Sequence, residues 1–168
     1  MATIVSTFYR DGNHVPITNL GLITKKTITF AGATTNAWGD DGGTLDGAAI
    51  FTVTGAVTAK VLGVCTTDLG GTGTHAVGIA GATTIYLPTE AAGDVNSGDF
   101  VINNAVVAAY FILGEQDAAA DNLPLYMLNG QDIIMTIAGG ANITPGVFDY
   151  YCIWNPISSD GNVADSGN

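Results

Sequence analysis

Ile50-Phe-Thr-Val-Thr54, Gly55-Ala56 and Val57-Thr-Ala-Lys-Val-Leu-Gly-Val64 form the stretch whose reading decides the fold of this chain. Phe51 and Val53 share a parity with Val57, Ala59 and Val61, whereas Thr52, Thr54, Thr58 and Lys60 take the other. Successive side chains of a strand point to opposite faces, so this pattern predicts two strands with one core face and one face toward solvent or a partner. The Gly-Ala pair between them predicts a hairpin.

Outward from this stretch, short β-branched and aromatic runs recur at 24–30, 75–79, 83–87, 100–102, 106–113, 133–138 and 147–154, separated by Gly, Asn, Asp and Pro. Roughly seven to ten strands at such spacing, with almost no helical periodicity, predict an all-β single domain: a β-sandwich, jelly roll or barrel-like fold. Residues 89–92 and 115–122 are too short for stable helices and read as loops. Residues 1–17 read as an extended N-terminal arm of a domain spanning 1–157. The tail 158–168 lacks apolar periodicity and is expected to fray, or to dock only on a neighbour.

The chain has 168 residues, of which only 11% are charged against 47% hydrophobic. A typical soluble domain carries roughly 25% charged residues. Thr, Asn, Ser and Gly must therefore wet the surface, and such a surface suits broad subunit contacts because few charges need desolvating. The formal net charge is −11, and the only cations are Arg10, Lys25, Lys26 and Lys60. A field of that sign repels phosphate backbones, which argues against nucleic-acid binding. Met1 to Arg10 does not read as a secretory signal, which points to synthesis in the cytoplasm. The stretch 100–113 is shorter than the roughly 20 residues of a membrane helix, so no membrane partner is expected.

Stock for catalysis is thin. His14 and His75 are the only histidines, and neither sits in a nucleophile context. Cys65 and Cys152 lie in apolar runs and read as reduced core residues, with a disulfide between them as the alternative. No Cys or His spacing typical of zinc occurs. Asp40, Asp41 and Asp46 offer hard oxygen ligands for calcium but depart from EF-hand spacing, so a hydrophilic hairpin loop is the plainer reading. The segment from Gly70 to His75 lacks the lysine of a phosphate loop and reads as a turn. Glu90, Glu115 and Asp117 offer a nominal carboxylate pair whose separation is not legible in sequence. No cofactor is expected. Trp154 ends an apolar strand and reads as core, whereas Trp38, among Gly and Asp, reads as either core or an outward contact anchor.

Three stretches carry a resemblance: Phe8-Tyr-Arg-Asp-Gly-Asn-His-Val-Pro-Ile17, the run from Phe51 to Leu69, and the run from Asn129 to Gly146 continuing to Asp160-Gly161. They resemble small all-β head proteins of tailed bacteriophages. That resemblance implies a capsid decoration or cement protein, often trimeric, that caps junctions between capsomers on the outer capsid surface. Its partners would be further copies of itself and the major capsid protein. The N-terminal arm ends in Phe8, Tyr9 and Arg10, and Lys25 and Lys26 follow in the next strand, so an edge-pairing segment and most of the cations are expected together at the capsid and subunit interface. The acidic loops around Asp40 and Asp46 would then face outward. Two alternatives are a tail, collar or head-fibre component, and a carbohydrate- or calcium-binding β-sandwich using Trp38 and the acidic loop.

Overall fold

The computed structural model describes residues 21–102, 105–107 and 125–168, with backbone only at 105–107. Eleven strands appear among them: β1 (Leu22–Phe30), β2 (Ala49–Thr54), β3 (Ala56–Thr67), β4 (Thr74–Ile79), β5 (Ala82–Ala91), β6 (Phe100–Ile102), β7 (Ala105–Val107), β8 (Tyr126–Asn129), β9 (Ile133–Ala138), β10 (Gly146–Pro156) and β11 (Asn162–Asp165). The expected all-β architecture is present, as two antiparallel sheets. One runs β1-β10-β3-β6-β7, with β8 also paired to β3, and the other runs β11-β2-β9-β4-β5. β3 is long enough to pair with β8 along Ala56–Ala59 and with β6 at Gly63 and Val64.

The parity read from residues 50–64 is observed. Phe51, Val53, Val57, Ala59 and Val61 are all buried, whereas Thr52 and Thr54 are exposed. The hairpin is not. β2 pairs with β11 and β9, and β3 pairs with β10, β8 and β6, so the chain crosses from one sheet to the other at Gly55. Gly55 has φ 62°, and a Cβ there would meet Asp160 Oδ1 and Ser158 Oγ at 2.5 and 2.6 Å. Glycine alone fits a backbone turned that tightly beside a second chain segment. The corner keeps both strands' apolar faces inward without requiring them to pair. Only β4–β5 and β6–β7 are sequential partners within one sheet; the other described connections between ordered strands change sheets.

One continuous core joins the two layers and includes Ile28, Phe30, Phe51, Val61, Leu87, Met135, Phe148, Tyr150 and Trp154. Close approach is extreme at Gly63, where an added Cβ would collide with the Phe148 ring. The proposed strand at 106–113 is seen only in part, in β7, and its remainder lies outside the described residues, as do 115–122. Residues 89–91 complete β5, and a 3-10 turn follows at Ala92–Asp94.

The tail corrects the expectation that it frays or waits for a neighbour. Asn162–Asp165 forms β11 against β2, and Val163 is buried. Short apolar content had hidden it, because an edge strand of four residues needs only one inward side chain. The tail is held further by Lys26, whose Nζ donates to Asp165 Oδ1 at 2.7 Å and to the Asn168 carbonyl at 2.6 Å. Trp154 Nε1 donates to Thr24 Oγ1 at 3.0 Å, and Thr24 Oγ1 donates to the Val163 carbonyl at 2.8 Å. These bonds tie β11, an edge of one sheet, to β1 and β10 of the other.

Candidate functional site

The residues singled out for chemistry are dispersed by the fold. Phe8, Tyr9, Arg10, His14, Glu115 and Asp117 lie outside the described residues. Lys25 and Lys26, expected to act in one cationic patch, occupy opposite faces of β1 because adjacent residues of a strand must. Lys26 points inward and is 6% exposed, held by Asp165 as above. Lys25 points outward, 2.8 Å from Asp149 and with Nζ 5.6 Å from the centre of the Tyr151 ring. Its hydrogen bond to Asp149 holds the ammonium above its ordinary pKa. Asp149 is pushed up by desolvation, but the hydrogen bonds from Lys25 and Thr27 outweigh this and hold it below the usual carboxylate range. Asp165 is likewise held low, first by its bond from Lys26.

Trp38 is core: it is 8% exposed, and its carbonyl accepts the Ala31 N–H at 2.8 Å. The outward-anchor reading is therefore corrected, since the indole belongs to the buried core cluster. The acidic residues of the same loop take part in its hydrogen bonding. Asp40 Oδ2 accepts the Asn36 N–H at 2.9 Å, and Asp46 accepts N–H groups from Gly42 and Ile137 at 3.2 and 2.8 Å. Asp41 contributes its backbone N–H to Asn142 Oδ1 at 2.9 Å. Two of the carboxylates are thus acceptors that shape the turn, and among the described residues no group of three His, Cys, Asp or Glu side chains converges on a metal-sized space. The glycine-rich segment is a connector, with Gly71 bridged to Ile143 and Asp68 accepting the Ser97 N–H at 2.6 Å.

His75 is fully enclosed by Phe30, Phe148 and Tyr150, with ring centres 6.0, 5.3 and 6.5 Å away. Neither ring nitrogen has a partner. Burial lowers its pKa to about 4, so the imidazole is neutral in the folded state at neutral pH. Cys65 and Cys152 are both free and buried, and burial pushes the Cys152 thiol up to about 12. Thiols held protonated in this way are poor nucleophiles. Glu90, in register with His75 on the neighbouring strand, is raised by desolvation and then by Asp94.

The feature that sequence reasoning missed is the outward face of the six-stranded sheet. Ile23, Leu62, Val64, Phe100, Tyr151 and Ile153 line a shallow apolar depression there of about 400 Å³. Register explains its continuity: Ile23 lies opposite Ile153, Tyr151 opposite Leu62, and Val64 opposite Phe100. A signal existed. Val61-Leu-Gly-Val-Cys65 and Tyr150-Tyr-Cys-Ile-Trp154 are apolar on both parities, the pattern of strands covered on both faces rather than half-solvated. Among the described residues no helix is long and apolar enough to cross a membrane. Compared with protein-family models, with curated proteins and with solved structures, the chain matches none of them.

Proposed function

We propose that this chain is a non-enzymatic structural protein of a virus particle, a capsid decoration or cement protein that self-associates and binds the major capsid protein on the outer capsid surface. The observation that carries this reading is the apolar outward face of the six-stranded sheet, which is a surface for contact rather than for chemistry. The use of the polar groups points the same way: Asp40, Asp46, Lys26 and Asp165 serve the fold itself, and His75 is sealed in the core. The resemblance of the stretches at 8–17, 51–69 and 129–146 to phage head proteins supplies the particle. No side chain discussed above favours the carbohydrate or calcium reading once Trp38 and the acidic loop are accounted for.

The test is binding of the purified protein to emptied capsids of the phage that encodes it, followed by sedimentation. Saturation at a fixed ratio per capsomer junction, with raised capsid melting temperature, supports decoration. Indifference to capsids together with binding to tails moves the protein to the tail or collar, and indifference to both overturns the reading.

A further inference from the structure

Large apolar side chains left in water are concentrated at one place. Among the described residues the exposed ones are Leu22, Ile23, Leu125, Met127 and Ile157. All five belong to one end of the six-stranded sheet. Leu22 is in register with Trp154 and through it with Ala59, next to Ile23, Ile153 and Lys60. Met127 lies opposite Thr58, with Leu125 just before β8, and Ile157 donates its backbone N–H to Ala56 at the start of β3. This end is continuous with the apolar depression, because Ile23 and Ile153 belong to both. The outward positions of the other sheet read differently: Thr52, Thr54, Thr74, Thr136 and Ala138 outnumber the single large apolar side chain of β9 there, Ile134, which is half-buried.

Charge narrows the choice of occupant. The chain is strongly acidic, so two copies repel wherever carboxylates meet. The apolar end is an exception. Lys25 and Asp149 neutralise each other on the sheet face. Among the described residues Lys60, on the same face, makes no ion pair, and Asp160, exposed beside Gly55 at the strand ends, accepts a side-chain bond only from the Ser158 hydroxyl. One end of the sheet therefore presents exposed apolar side chains flanked by one unspent cation and one unspent carboxylate, which makes it complementary to itself.

We infer that this end of the six-stranded sheet is the contact between copies of this chain, with Ile23, Met127 and Ile153 at its centre and Lys60 of one copy facing Asp160 of the next. The inference rests on the proposed function only in taking the protein as self-assembling. Related copies arranged about a closed symmetry axis bury this patch on every subunit, and the opposite, hydroxyl-rich sheet stays in water.

Sedimentation velocity of the full chain without capsids, from about 1 to about 100 μM, is the experiment. The wild type is expected as one discrete oligomer. Ile23→Glu and Met127→Glu, both at exposed positions, should leave the circular dichroism spectrum unchanged and shift the protein to monomer. Lys60→Asp should weaken association about tenfold or more, and the swap Lys60→Asp with Asp160→Lys should recover most of that loss. Thr52→Lys on the other sheet should change nothing. A wild type that stays monomeric throughout this range overturns the inference, whether the cause is a capsid occupant or the chain's own N-terminal residues. So does an oligomer untouched by Ile23→Glu and Met127→Glu. Capsid binding is scored separately: a monomer that saturates capsids sinks the self-contact and keeps decoration, and an oligomer indifferent to capsids does the reverse.

Discussion

The two sheets share one core yet turn different outer faces to the surroundings. Thr52, Thr54, Thr136 and Ala138 join the half-buried Ile134 at outward positions of the five-stranded sheet, while Ile23, Leu62, Val64, Phe100, Met127, Tyr151 and Ile153, beside Lys25, Asp149 and Lys60, occupy those of the six-stranded one. Antiparallel sheets are free to differ in this way, since each needs only its inward face covered. The lesson is that an apolar residue in a strand of this protein does not by itself report the core. Inward apolar positions hold the fold, and outward apolar positions on one sheet are available to hold an assembly.

The sharpest way to break the comparison is to remove what couples the layers. Deleting residues 162–168 takes away β11, uncovers the β2 edge and removes both partners of the Lys26 ammonium. Loss of the Val163 burial, of the β2–β11 ladder and of the Lys26 bonds together should lower unfolding free energy by about 3 kcal/mol in urea titration.

Acid should weaken the core next. The unfolded chain protonates His75 near its ordinary 6.5, whereas the folded chain resists until about 4. Stability should therefore fall as pH drops from about 6.5 to about 4, by roughly 3 kcal/mol, and this contribution should flatten below. The lowered carboxylates Asp149 and Asp165 act in a separate window, their stabilisation being lost only as pH falls through and below their ordinary 3.8. Thermal melts of His75→Leu across pH 4 to 7, with the first window abolished, would confirm the assignment.

Thr24→Val keeps the shape of β1 but breaks the relay from Trp154 through Thr24 to Val163. Leaving the buried indole N–H unpaired should cost about 1–3 kcal/mol, with no effect on association. The smallest stability effects, under about 0.5 kcal/mol, are expected for exposed outward changes such as Ile23→Glu and Thr52→Lys. Their value lies in contrast: only the former should alter the sedimentation coefficient, and equal behaviour of the two would erase the distinction between the sheets.

Much of the strand content was legible in residues 24–30, 75–79, 133–138 and 147–154, because β-branched and aromatic runs bounded by turn residues leave few alternatives, although the observed strands run one or two residues further at several ends. The strand missed at Tyr126–Asn129 and the one missed in the tail are four residues each. At that length period-2 patterning has too few positions to register. The candidate interface was half legible: both-parity apolar runs at 61–65 and 150–154 were visible, but their alignment with Ile23 and Phe100 was not.

By itself the sequence determined the inward face of the strands that alternate, as at 51–61, since parity is a local property of an extended backbone, and it determined the acidic, sparsely charged character of the whole. Partnership was decided only by the tertiary structure. Residues 50–54 and 56–67 look like the two arms of a hairpin, yet Gly55 sends them to different sheets. Lys25 and Lys26 are neighbours in the chain and serve opposite faces, and Trp38, set among Gly and Asp, lies in the core. The physical reason is common to all three. Strand pairing and layer crossing satisfy backbone hydrogen bonds and bury apolar area over long separations in sequence, and no local pattern encodes which of the available partners does so best.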